Sequence, residues 1–316
     1  MKALVAREYG PLEDLVVAEM PVPVPGPGQM LVRTEAAALN PADTGLITGA
    51  MRDALPVEHP FIPGVDTTGI VIAVGGGVTR FAVGDAVLAW NGIPSGTLAE
   101  FAIVGDGPGT AHRPAALDPA RAAALPTATL TGAALLDAAE VKPGGSLLIV
   151  GASGGIGSFL VQLAVQADVR VVATGRAQDE EQVRGLGAHE FIDYRSADVA
   201  AETRRLVPDG VDAVIDLALA GPALAGSAAA VRPGGLLVSP KGGPDVFDGG
   251  VAGVYTGVTR PEGRLEGFAV QAAEGRLRVP IAVEYPFADV RQAVIDFPRR
   301  HLLGKAIIVF PSIEVV

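Results

Sequence analysis

The chain has 316 residues, 49% of them hydrophobic and 19% charged, and carries a formal net charge of −11 with a sequence pI near 4.8. That balance supplies a sizeable core, excludes a disordered chain, and argues against nucleic-acid binding, which needs a cationic face for phosphates. The absence of cysteine excludes disulfides, thiolate catalysis and every cysteine-ligated zinc or iron–sulfur site.

The length points to two domains. The opening MKALVAREYGPLEDL places Arg7, Glu8, Glu13 and Asp14 where a secretory signal needs an unbroken apolar stretch, so a cytoplasmic location is expected. From residue 1 to 124 short β-branched runs alternate with Gly and Pro (LVRTEAAALN, GIVIAVGGG, DAVLAW, AEFAIV), which predicts a β-rich domain. PVPVPGPG, at 21–28, reads as an extended edge connection between strands. The longest uncharged apolar stretch, Ala122 to Leu136, has about 15 residues and falls short of the roughly 20 needed to span a bilayer. It predicts a buried helix, and no membrane association is expected.

Over 125–260 the rhythm becomes strand, helix, strand, helix, the signature of parallel βαβ units. The strand candidates are 146–150, 169–174, 189–193, 212–218 and 235–240. GGIGSFLVQLAVQ sets Ile156, Leu160, Leu163 and Ala164 on one helical face, and a second helix over 178–186 ends at Gly187, a C′ glycine. In the last part, 261–316, a helical segment, RVPIAVEYPF, a second helical segment and KAIIVF resume the mixed character of the first third.

GASGGIG, at 151–157, lies directly between an apolar strand and an amphipathic helix. Glycine triplets also serve purely steric turns. In this context, though, glycines at 151, 154 and 157 permit a tight turn, close approach of backbone N–H groups to a dinucleotide pyrophosphate, and helix-to-strand contact. NAD-specific sites place an Asp or Glu at the end of the second strand to bind the ribose 2′-OH. Here that place reads Thr174, Gly175, Arg176, with no carboxylate before Asp179. Arginine there is either an ordinary surface residue or, as we favour, a planar fork for a 2′-phosphate, which makes NADPH the expected cofactor.

NPAD at 40–43, PGVDTTGIV at 63–71, VGDAV at 83–87, GTLAEFAIV at 96–104, ALPTATLTGAALL at 124–136, VKPGGSLLIVGASGGIG at 141–157, LGAHEFIDYR at 186–195, RPGGLLV at 232–238 and GKAIIVF at 304–310 together resemble the zinc-free, zeta-crystallin-like quinone oxidoreductases of the medium-chain dehydrogenase/reductase superfamily. The resemblance covers nearly the whole chain. It implies an α/β protein in which a Rossmann doubly wound parallel sheet is inserted in a GroES-like β-rich catalytic domain, with the active site in the cleft between and a homodimer as the usual state.

It further implies cofactor contacts from Gly151, Ser153, Gly154, Gly155, Ile156, Gly157, Thr174, Gly175 and Arg176, from Tyr194 near the 2′-phosphate, and from Leu217, Ala218 and Tyr255. Asn40 and Thr131 match positions beside the nicotinamide. Zinc-dependent relatives place Cys and a His-Glu pair near Asn40 and at Val65-Asp66, and His59, His112, His189 and His301 stand singly. Asp43 and Asp66 read as caps or turn acceptors. Asn40 either stands beside the reacting centre or braces the turn before Pro41. Many members carry tyrosine where this chain has Gly45, and a wider pocket is one expected consequence.

Hydride transfer from the nicotinamide to a quinone or α,β-unsaturated carbonyl compound is the implied activity. Tyr255, Thr131, Thr44 and solvent stay open as proton donors. The alternatives are an enoyl or ketone reductase of secondary metabolism and an NADPH-binding structural or regulatory protein without turnover.

Overall fold

The computed structural model describes residues 1–92 and 96–311. The chain divides into two compact units, residues 1–127 with 260–316, and residues 128–259. In chain order the first runs β1 (Lys2–Val5), β2 (Val16–Glu19), β3 (Gln29–Ala38), α1 (Pro41–Ile47), β4 (Asp66–Val74), β5 (Ala86–Trp90), β6 (Phe101–Gly105), β7 (Thr110–His112) and α2 (Pro119–Ala124). After α3 (Pro126–Ala139) come β8 (Ser146–Val150), α4 (Gly157–Gln166), β9 (Arg170–Gly175), α5 (Glu180–Gly185), β10 (Glu190–Asp193), α6 (Val199–Leu206), β11 (Val211–Asp216), α7 (Leu224–Ala228), β12 (Val231–Ser239), β13 (Val246–Phe247) and β14 (Val251–Tyr255). The chain then returns to the first unit through α8 (Arg264–Ala273), β15 (Ile281–Pro286), α9 (Val290–Asp296) and β16 (Lys305–Val309).

The first unit is the GroES-like domain, and β3 is its spine. One edge of β3 pairs with β4; along the other, β6 covers Gln29–Arg33 and β16 covers Ala36–Ala38, so the final strand is an integral part of the sheet. Leu4, Leu46, Phe287 and Ile308 meet in one buried cluster, so apolar side chains from both ends of the sequence leave water together. Residues 21–26 form the irregular connection from β2 into β3.

The second unit is a Rossmann fold. Its sheet order, β10-β9-β8-β11-β12-β14-β13, is parallel except for β13, and its first six members reproduce the 3-2-1-4-5-6 order of doubly wound nucleotide-binding sheets. Strand β8 is a near-continuous apolar run because helices cover both faces of such a sheet. Strand β14 and the short helices α6 and α7 went unread in the sequence; the glycines around VAGVY resemble a loop, and pairing with β12 and β13 makes that run a strand. The helical run Pro119–Ala139 reaches the length and apolarity of a membrane span, but 78% of that window is buried within the fold, as a core helix would be.

Truncating Ile308 to Ala removes a fully buried side chain from the first unit's core. It should cost about 2–5 kcal/mol in urea denaturation, while a value near zero would show that β16 is not part of that core.

Candidate functional site

In the second unit the glycine turn joins β8 to α4. Gly151 has φ of +86°, and a Cβ on Gly157 would sit 2.2 Å from the Gly151 carbonyl oxygen, so both positions require glycine. The turn is fixed from the side by Thr174, whose hydroxyl accepts from Gly151 N–H (3.2 Å) and whose carbonyl accepts from Ala152 N–H (3.2 Å). From the other side Leu217 and Ala218 approach it, their Cβ atoms 3.4 and 3.9 Å from where a Gly151 side chain would begin. Leu217 N–H donates to Val150 O, and Ala218 N–H to the buried Asp216 carboxylate. Ser153 is buried within the turn, and Gly154, Gly155 and Ile156 complete it ahead of α4. This narrow glycine cradle, opening a helix at the carboxyl end of a central strand, fits a dinucleotide pyrophosphate.

At the ends of β9 and β10, Arg176 Nε donates to the Tyr194 hydroxyl at 3.2 Å, and Tyr194 is 45% exposed. Gly175 permits this geometry, since a Cβ there would meet the Phe191 ring at 2.9 Å. Asp179, the first carboxylate after the strand, is fully buried and accepts from Arg176 N–H. It is committed to the backbone. Tyr255 ends β14 of the nucleotide sheet, and its hydroxyl donates to Pro244 O at 2.5 Å. Thr131 is buried on α3.

In the first unit a buried polar cluster gathers at the head of α1. Asn40 is its N-cap; the Asn40 N–H donates to Asp43 Oδ2 (2.7 Å), and the carboxamide donates to Ala38 O (3.2 Å) and Asp66 Oδ2 (3.0 Å). Its oxygen accepts from Lys305 Nζ at 2.6 Å. Asp66 Oδ1 accepts from both the Thr127 N–H and its hydroxyl. Asp43, Asp66 and Lys305 are all under 5% exposed. Burial pulls the Lys305 ammonium down and pushes the Asp66 carboxyl up, each charge acting as counterweight to the other. The sequence singled out Asn40, Asp43 and Asp66 but missed Lys305, which looks like any lysine opening a strand.

A profile described as alcohol dehydrogenase GroES-like domain matches residues 26–119, and one described as zinc-binding dehydrogenase matches residues 186–308. A quinone oxidoreductase of Lama guanicoe is 31% identical over 313 residues, covering 94% of this chain and 93% of its own. The chain belongs to the quinone oxidoreductases of the medium-chain dehydrogenase/reductase superfamily. A chloroplastic quinone-oxidoreductase homolog of Spinacia oleracea is 40% identical over 211 residues, 64% of this chain and 64% of that one, so the match spans just under two thirds of that relative. A mycobacterial protein solved in complex with NADPH superposes with a TM-score of 0.84 at 28% identity, covering 98% of this chain and 100% of that chain.

Against the family pattern, Gly45 does not simply open space. A Cβ there would lie 2.8 Å from Met51 Sδ, so a flexible thioether lies against the helix at that point. Nor do the residues fit the zinc that the matching profile names. Cysteine is absent from the chain, no group of three or more His, Cys, Asp or Glu gathers among the described residues, and an ammonium already lies between Asn40 and Asp66.

Asp43 supplies a test of the cluster. Burial, reinforced by the Asp66 charge, pushes its pKa from 3.8 to about 7, against the pull of Asn40 N–H and Lys305. With the folded value above the unfolded one, the fold binds more protons between these limits, so stability falls as pH rises from about 4 to about 7. Relative to Asp43→Asn, the wild type should lose about 1.4 kcal/mol per pH unit in that window, read by urea denaturation at a series of pH values. Parallel profiles would show that Asp43 titrates normally.

Proposed function

We propose that this quinone oxidoreductase family member uses NADPH to reduce a quinone or an α,β-unsaturated carbonyl compound, with no metal in the reaction. The observation that carries the cofactor choice is the meeting of Arg176 and Tyr194 at the strand ends beside the glycine turn, with Asp179 turned inward. A guanidinium and a phenol suit a monoester phosphate. The mycobacterial neighbour solved with NADPH supports the same choice.

When bound, the dihydronicotinamide supplies the hydride, and the chain supplies placement and electrostatics. Gly151, Ser153, Gly154, Gly155, Ile156 and Gly157 hold the pyrophosphate through the backbone and the helix N-terminus. Thr174 and Gly175 keep that turn in register with β9, while Leu217 and Ala218 wall it on the β11 side. Tyr255 contributes its ring and the shape of the β12–β14 loop, because its proton is already donated to Pro244. Thr131 enters on the family resemblance, as a buried hydroxyl of α3.

Asn40 enters as a rigid polar group at the head of α1. Its two amide hydrogens are given to Ala38 O and Asp66, so it is not a free donor for a developing oxyanion. Charge that builds on the substrate oxygen is then left to water, which also serves as the proton source.

A panel of quinones, enones and ketones with NADPH tests the activity; turnover of quinones or enones is expected, and tight NADPH binding without any turnover would favour a binding protein instead. Arg176→Asp should weaken NADPH binding about 10- to 100-fold and leave NADH within about 3-fold, measured by fluorescence titration. Equal losses for both cofactors would remove Arg176 from phosphate selection.

A further inference from the structure

The disagreement between the zinc-binding profile and the residues present leads to a specific assignment. Lys305 lies inside the matched stretch, yet its ammonium is buried among oxygens: Asn40 Oδ1 at 2.6 Å, Leu39 O at 3.4 Å and Asp66 Oδ2 at 3.5 Å. An ammonium has three hydrogens, and three oxygens surround this one. We propose that Lys305 is a built-in cation that takes the place of a metal in this oxygen cage, and that it is a positioning residue fixing the orientation of Asn40 and Asp66.

Asp66 is fully buried, and a carboxylate there needs a compensating charge; Thr127 satisfies one oxygen by hydrogen bonds, but only Lys305 brings a full positive charge to the other. A divalent cation in the same cage would meet the ammonium at close range and be repelled. The Asn40 carboxamide is also oriented by this contact. Its oxygen faces the ammonium, which turns its hydrogens towards Ala38 O and Asp66; without Lys305 that oxygen loses its donor and the amide is free to flip.

The assignment rests on stability and spectroscopy rather than turnover, so it stands or falls apart from the cofactor reading. The chain has four lysines, Lys2, Lys142, Lys241 and Lys305. Replacing the first three with arginine leaves Lys305 as the sole lysine in an otherwise intact protein. Amine-tuned ¹H–¹⁵N spectra at pH 7 should then show one slowly exchanging NH3⁺ signal; a neutral amine or a fast-exchanging signal overturns the proposal.

Lys305→Ala should lower Tm by about 5–10 °C. Methylammonium chloride should restore part of that loss where tetramethylammonium chloride at equal ionic strength does not, and equal effects of the two salts would count against a cation cage. Wild-type protein dialysed against zinc chloride should retain no stoichiometric zinc. Retention of one zinc per chain that Asp66→Asn abolishes would refute the replacement outright. If the alanine variant fails to fold, the single-lysine spectra and the zinc dialysis still decide.

Discussion

A positive charge with almost no access to water constrains the first unit more than any other single feature. For Lys305 to be tolerated, oxygens must converge on it from separate parts of the chain. The register of β16 against β3 brings the final strand alongside Ala36–Ala38, while the pairing of β3 with β4 sets Asp66 opposite Ala38, one residue before Leu39 and Asn40. Helix α1 must then begin at Asn40, where Pro41 fits the first helical position because its missing N–H would have had no helical partner. Strand pairing, helix start and charge burial are therefore one solution. Lys305 and Asn40, from opposite ends of the sequence, meet in that unit.

In the nucleotide unit the comparable constraint is steric. Strand β8 lies between β9 and β11, so the turn that leaves it is flanked by whatever follows those two neighbours. Thr174 is the penultimate residue of the first and Leu217 follows the second, and both touch the turn. The glycines keep that contact possible; a side chain at 157 would push α4 off the strand that precedes it. Precision here comes from backbone proximity.

Local pattern carried the sequence reading a long way. Strand β8 occupies the residues expected of it, α4 follows at once, and Gly187 ends the second helix region with φ of +110° as a C′ residue should. Arg176 was legible from its place after the second strand and Tyr194 only through the family resemblance, and the pairing of β9 with β10 brings the two together. Lys305 was not, since 265 residues separate it from Asn40 and nothing in GKAIIVF distinguishes a buried ammonium from a surface one. Met51 lying against the helix at Gly45 was equally silent, because that contact depends on how the loop after α1 turns back. The Tyr255 hydroxyl was read as open chemistry, whereas a carbonyl eleven residues upstream accepts its proton.

The two cations that matter are of different types, and the geometry explains the difference. At 176 the partner in the proposed reading is a tetrahedral phosphate arriving from solvent, and a planar guanidinium with fixed, divergent donors can grip two of its oxygens without much ordering cost. At 305 the partners are a carboxamide, a carboxylate and a backbone carbonyl already arranged around one point. A compact ammonium with three rotatable donors can satisfy such a cage, and a guanidinium would overfill it. A chain of net charge −11 thus concentrates its few decisive positive charges where each has a shape to match. Arg176 stands half-buried at the strand ends, and Lys305 is sealed inside.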